Sequence, residues 1–118
     1  MSKYHQYKVS LSETHHTAKL DAPSGTAITL AEEILAQNKR YKNWENSVFT
    51  EEEILPIQSL REPDVPGTHS IKYTSNEDLI EIKHIAMNRE GFAAGALLAA
   101  KWLIDKKGVY SMNDVLNL

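Results

Sequence analysis

The sequence predicts an α+β domain, a mixed open sheet of roughly four strands with helices packed against it. Three observations predict it. Apolar and polar residues alternate with the period of a strand near the N-terminus and again in the second half of the chain. Two runs repeat their apolar residues at helical spacing, one soon after the first strand and one near the C-terminus. With 118 residues and 42% hydrophobic content, residues 1–118 read as one small domain with enough apolar material for a core.

The first strand comes from Tyr7, Val9 and Leu11 alternating with Lys8, Ser10 and Ser12, and its end delivers Glu13 to His16 to the sheet edge. Tyr4 and Tyr7 read as edge core. A helix follows from about Gly25 to Asn38, because Ala27, Leu30, Ala31, Ile34 and Leu35 recur on one face. Ser24 is its expected N-cap. Residues 41–46 read as a polar exit in which Trp44 covers an edge. Val48, Phe49, Ile54, Leu55 and Ile57 suggest a second strand interrupted by Glu51, Glu52 and Glu53, with Pro56 implying an edge or a break in pairing. After a Pro and Gly turn cluster, His69 to Thr74 and Leu79 to Ile85 alternate as two further strands joined by a hairpin at Ser75 to Asp78. A second helix is expected from Phe92 to about Lys107, rich in small residues. Ser111 and Asp114 have capping-box spacing ahead of a last helical turn.

The chemistry is concentrated between Ser12 and Thr26, in SETHHTAKLDAPSGT. The first turn of a helix has amide N–H groups without intrahelical partners, so Gly25, Thr26 and Ala27 form an end that attracts an anion. Gly25 has no side chain to keep a ligand away. Lys19 is a point charge on a long stem, suited to a carboxylate or phosphate. His15 and His16 can carry a proton near neutral pH, and in an extended segment they point to opposite sides. On these residues alone the stretch reads equally as a solvated loop before a capped helix or as a site for a small dicarboxylic or phosphorylated anion. A metal site is the weakest reading, since adjacent histidines ligate less naturally than a spaced pair and the chain has no cysteine.

Bulk properties exclude several classes. A net charge of −3 without a basic cluster argues against a nucleic-acid surface. The absence of cysteine removes disulfides and thiolate zinc sites and fits a reducing compartment. The apolar runs are too short and interrupted to span a membrane, and Met1-Ser2-Lys3-Tyr4-His5 lacks a signal-peptide core, so the cytoplasm is the expected compartment. No glycine-rich fingerprint follows a strand, so nothing is expected to bind a dinucleotide in the usual way.

Glu13, His15, His16, Lys19, Asp21 and the run Pro23 to Ala27 together resemble the signature of dihydrodipicolinate reductase. Agreement continues through Arg61, Pro66-Gly67-Thr68-His69, the segment from Arg89 to Ala96, Trp102-Leu103 and the tail from Gly108, covering nearly all of the chain. The resemblance implies the substrate-binding and oligomerisation portion of that enzyme, with the nucleotide-binding domain absent from this chain. It implies reduction of 4-hydroxy-tetrahydrodipicolinate to tetrahydrodipicolinate, with loss of water, by NADH or NADPH. It makes His15 the general acid and Lys19 the group that stabilises the substrate, with His16, Ser24, Gly25 and Thr26 holding a carboxylate. Arg89 and Phe92 would stand by the cofactor, and no metal takes part. It also implies a homotetramer formed through the open sheet, with a small dicarboxylic cyclic imine as the substrate. The isolated chain is then expected to be inactive. The alternative is a non-catalytic assembly or anion-binding module that retains the signature.

Overall fold

A computed structural model describes residues Met1 to Leu118. The chain divides into two compact units, Met1–Ile85 and Ala86–Leu118.

The first unit contains β1 (Lys8–His15), α1 (Gly25–Gln37), β2 (Asn43–Glu45), β3 (Ile54–Arg61), β4 (Thr68–Thr74) and β5 (Leu79–Ile85). The strands form one five-stranded mixed sheet in the order β2-β3-β1-β4-β5. The central strand is thus the first in sequence. It runs parallel to β3, with Leu11 opposite Ile57 and His15 opposite Arg61, and antiparallel to β4, with Glu13 opposite His69. The return from β1 to its parallel neighbour β3 passes through α1, as a parallel pair requires.

The pleat of β1 buries Val9, Leu11, Glu13 and His15 in one row. Leu55 and Ile57 of β3 and the face of α1 carrying Ala27, Ala31 and Ile34 complete the core with Tyr41. Ala27 and Ala31 are fully buried, and their small side chains let the helix backbone approach the sheet. Tyr41 adds a polar tie, its hydroxyl accepting from the Val9 N–H at 2.8 Å. Burying Leu11, Leu55 or Ile57 contributes about 1.5–3 kcal/mol each.

Three sequence expectations change here. The fifth strand, β2, lies in the segment read as a polar exit. Its three residues are too few to show alternation, and only Trp44 packs on the core. Val48 and Phe49 do not join β3: they are 52% and 90% exposed, in a turn where Ser47 donates to the Phe49 carbonyl and accepts from its N–H. Tyr4 is 57% exposed and is not core. Pro56 does sit at a break in pairing, since β2 pairs with β3 up to Pro56 and β1 begins pairing at Ile57. A residue without an N–H is tolerated at such a junction.

The second unit contains α2 (Glu90–Trp102) and α3 (Met112–Leu116), neither with a buried residue. α2 ends about a turn earlier than its periodicity suggests. Beyond it the chain takes left-handed backbone at Asp105 and positive φ at Gly108, which no helix continues through. Trp102 stands edge-on to Tyr110 at 5.0 Å, with the Lys106 ammonium 4.4 Å from its ring centre. The capping box of Ser111 and Asp114 forms as its spacing predicts.

Candidate functional site

Glu13 and His15 extend the buried row of β1 beyond its apolar part, so a carboxylate occupies a position only 1% exposed. A buried carboxylate must be paired and hydrogen-bonded. Both oxygens of Glu13 are. Oε1 accepts from Arg61 Nη2 at 3.0 Å and from the Ser24 N–H at 3.2 Å. Oε2 accepts from Arg61 Nη1 at 2.9 Å and meets His15 Nδ1 at 2.5 Å. Burial alone would push the Glu13 carboxyl up; the hydrogen bonds from Arg61 and His15 outweigh it and hold the group below its ordinary value.

With Nδ1 turned to the carboxylate, Nε2 is the His15 nitrogen left for a ligand. The His15 ring stands edge-on to the His69 ring at 5.1 Å. His69 Nε2 lies 2.9 Å from Ser24 Oγ, and burial, followed by electrostatic repulsion from the neighbouring His15 ring, holds the His69 pKa below its ordinary value. Neutral His69 and the serine hydroxyl thus share a hydrogen bond at the start of α1.

Ser24 is the N-cap that the sequence predicts, its Oγ accepting from the Ala27 N–H at 3.2 Å. Ser24 is 3% exposed and its hydroxyl is engaged with both Ala27 and His69. The outward groups of the helix end are therefore the amides of Gly25 and Thr26, both exposed residues, and the Thr26 hydroxyl. A Cβ at Gly25 would meet no atom within 4 Å, so the space before this turn is open.

Between strand and helix, the Lys19 N–H closes a turn onto the His16 carbonyl at 3.1 Å. Lys19 Nζ lies 2.9 Å from Asp21 Oδ1 and 2.8 Å from Oδ2, and the ammonium holds the Asp21 carboxyl below its usual range. His16 is half-buried just past the strand. His15, His16, Lys19, Ser24, Gly25 and Thr26 all belong to the first unit, on the strand end, the loop and the helix start. Arg89, which begins α2 without a side-chain cap, and Phe92, 53% exposed, belong to the second. Sequence reading assigned Arg61 and His69 no role at this site. A carboxylate in the buried row of a strand demands a cation, and that demand was the signal for Arg61; nothing local pointed to His69.

The sequence places this strand end at a sheet edge, but β1 is paired on both sides. Fold and site together define an α+β domain whose central strand sets, at its C-terminal end, a carboxylate-held histidine, with a lysine in the loop that follows, beside an anion-receptive helix end. The profile of the family described as "Dihydrodipicolinate reductase, C-terminus" matches residues 1–116, and the chain belongs to that family. It is 51% identical over 117 residues to a 4-hydroxy-tetrahydrodipicolinate reductase of Christiangramia forsetii, covering 99% of this chain and 48% of that protein. A protein of the same name from Rickettsia bellii is 44% identical, with 92% of this chain and 44% of that one covered. A solved structure, dipicolinate-bound dihydrodipicolinate reductase from Paenisporosarcina sp. TG-14, superposes with a TM-score of 0.64 at 28% identity. That match covers 90% of this chain and 43% of the other. The chain thus spans slightly less than half the length of these relatives.

The family implies a pyridine nucleotide, and the residues present do not fit its phosphates. The β1–α1 connection, residues 16–24, contains no glycine, and Gly25 already begins α1, where a dinucleotide fingerprint needs a glycine-rich turn directly between strand and helix.

Proposed function

We propose that this chain is the substrate-holding portion of a 4-hydroxy-tetrahydrodipicolinate reductase and that the nucleotide is bound mainly by residues outside it. The observation that carries the reading is His15, fixed at Nδ1 by buried Glu13, beside the unshielded amides of Gly25 and Thr26. In this reading one substrate carboxylate rests on those amides, the Thr26 hydroxyl and His16, with Ser24 acting through the helix cap. Lys19 leaves Asp21 to pair with substrate charge and assists loss of water. His15 gives a proton from Nε2 as the ring gains electron density, and Glu13 stabilises the imidazolium form that donates it. Arg89 and Phe92 would face the nicotinamide end. The hydride itself is the nucleotide's chemistry.

The exposed apolar residues of β5 support assembly through the sheet into a homotetramer. No helix is long and apolar enough to cross a membrane, which is consistent with a cytoplasmic biosynthetic enzyme. Titration of the chain with pyridine-2,6-dicarboxylate, followed by amide resonances, tests the substrate reading. Gly25 and Thr26 should shift most; no response at ~10 mM, where even millimolar affinity shows, would overturn it.

A further inference from the structure

We infer that Arg61 is a positioning residue that, through Glu13 and the backbone of the loop, sets His15, Lys19 and the start of α1 in register for substrate; this rests on the function proposed above. A guanidinium has five N–H donors in a rigid plane. At Arg61 all five are used. Nη1 donates to Glu13 Oε2 at 2.9 Å and to the Leu60 carbonyl at 2.6 Å. Nη2 donates to Glu13 Oε1 at 3.0 Å and to the Asp21 carbonyl at 2.7 Å. Nε donates to the Lys19 carbonyl at 3.3 Å. One side of the fork grips the carboxylate bidentately, and the other straps the loop backbone on both sides of Leu20.

Glu13 is filled in the same way. Its two oxygens take the Arg61 pair, the Ser24 N–H and His15 Nδ1, which uses the four acceptor directions of a carboxylate. The strand carrying His15, the loop carrying Lys19 and the helix end carrying Gly25 and Thr26 have no other common partner in this set. Arg61 itself is turned to carboxylate and carbonyls, so it contributes geometry and not a substrate contact. Leu20, 97% exposed at the centre of the strapped loop, provides no apolar anchor between the two carbonyls that Arg61 holds.

Lysine in place of Arg61 keeps the charge but has three donors on a rotating head, so it cannot grip both oxygens and both carbonyls together. Glutamine in place of Glu13 keeps the shape but puts an N–H₂ where one oxygen accepts from two of the four donors. Of those donors only the imidazole can adapt, by moving its proton from Nδ1 to Nε2.

The test uses the 118-residue chain and reads two signals: the His15 tautomer from imidazole nitrogen resonances, and affinity for pyridine-2,6-dicarboxylate. Wild-type neutral His15 should be the Nδ1–H form. Arg61→Ala and Arg61→Lys should each weaken the dicarboxylate at least about tenfold, and millimolar guanidinium should restore much of the loss in Arg61→Ala only. Glu13→Gln should move His15 towards the Nε2–H form. Unchanged affinity in Arg61→Lys, or a loss in Arg61→Ala that guanidinium leaves untouched, overturns the proposal. Should Arg61→Ala not fold, Arg61→Lys and Glu13→Gln carry the decision. If the wild-type chain binds no dicarboxylate, the substrate reading fails by itself. The positioning chain then stands if Glu13→Gln moves His15 off the Nδ1–H form and falls if the wild-type tautomer is kept.

Discussion

Glu13, at a position in the core row of β1, makes the acid side of the stability curve steep. Its carboxyl and the His69 imidazole both titrate below their ordinary values in the folded chain, 4.5 and 6.5. As pH falls through those values the unfolded chain takes up protons that the native one refuses, so stability drops. The loss should begin near the ordinary histidine value as His69 is forced to charge. It should deepen below the carboxylate value as Glu13 is forced to neutralise. Urea midpoints across the acid range check this, and in His69→Gln the first loss should vanish while the second remains. Lys19→Ala should lower turnover of the complete reductase at least about tenfold with nucleotide binding nearly unchanged, read by steady-state kinetics. Near-normal turnover at saturating substrate would remove Lys19 from the reaction. Gly25→Ala should keep or slightly raise thermal stability, because alanine is the better helix former and its methyl meets no atom. The same methyl beside the amides of Gly25 and Thr26 should weaken dicarboxylate binding severalfold.

Among the elements, β5 leaves a row of apolar side chains exposed. All seven of its residues are exposed, with Leu79 at 53%, Ile80 at 43%, Ile82 at 61% and Ile85 at 54%. It is also a terminal strand of the sheet, with one row of backbone groups unpaired. The chain should therefore self-associate at ~100 μM, and Ile82→Lys should shift it towards monomer; a wild-type monomer in sedimentation at that concentration would contradict this. Elements with a repeating pattern were legible from sequence: β1, α1 with its Ser24 cap, β4, β5 and the hairpin between them follow from alternation, helical spacing and turn residues. β2 was not, since three residues contain no period. The end of α2 was missed because apolar residues at Leu103 and Ile104 continue the stripe past the last helical turn. In the site, the local half was legible as contiguous residues from Glu13 to Thr26. Arg61 and His69 were not, because they reach it from strands that only the sheet order brings alongside β1.

Over the whole molecule, the proposed substrate corner and the lack of a glycine-rich turn between β1 and α1 predict that this chain alone reduces no imine and binds NADH weakly. Calorimetric titration checks the second half, and sub-micromolar binding would overturn the assignment of the nucleotide to other residues. Leu55→Ala should destabilise the chain by about 2–5 kcal/mol, since its side chain is fully buried between sheet and α1. The placement of β1 at the centre of the sheet has a kinetic consequence. Of the five strands β1 is made before the others, yet both its neighbours lie far downstream, and Glu13 waits across 48 residues for Arg61 while Ser24 waits across 45 for His69. Loops of that length close late and slowly. Until they do, a carboxylate and two apolar residues of the future core sit in water with no strand on either side. The corner built on Glu13 should therefore be among the last parts of the sheet to assemble, so that the anion proposed to bind there would sense only chains that have finished folding.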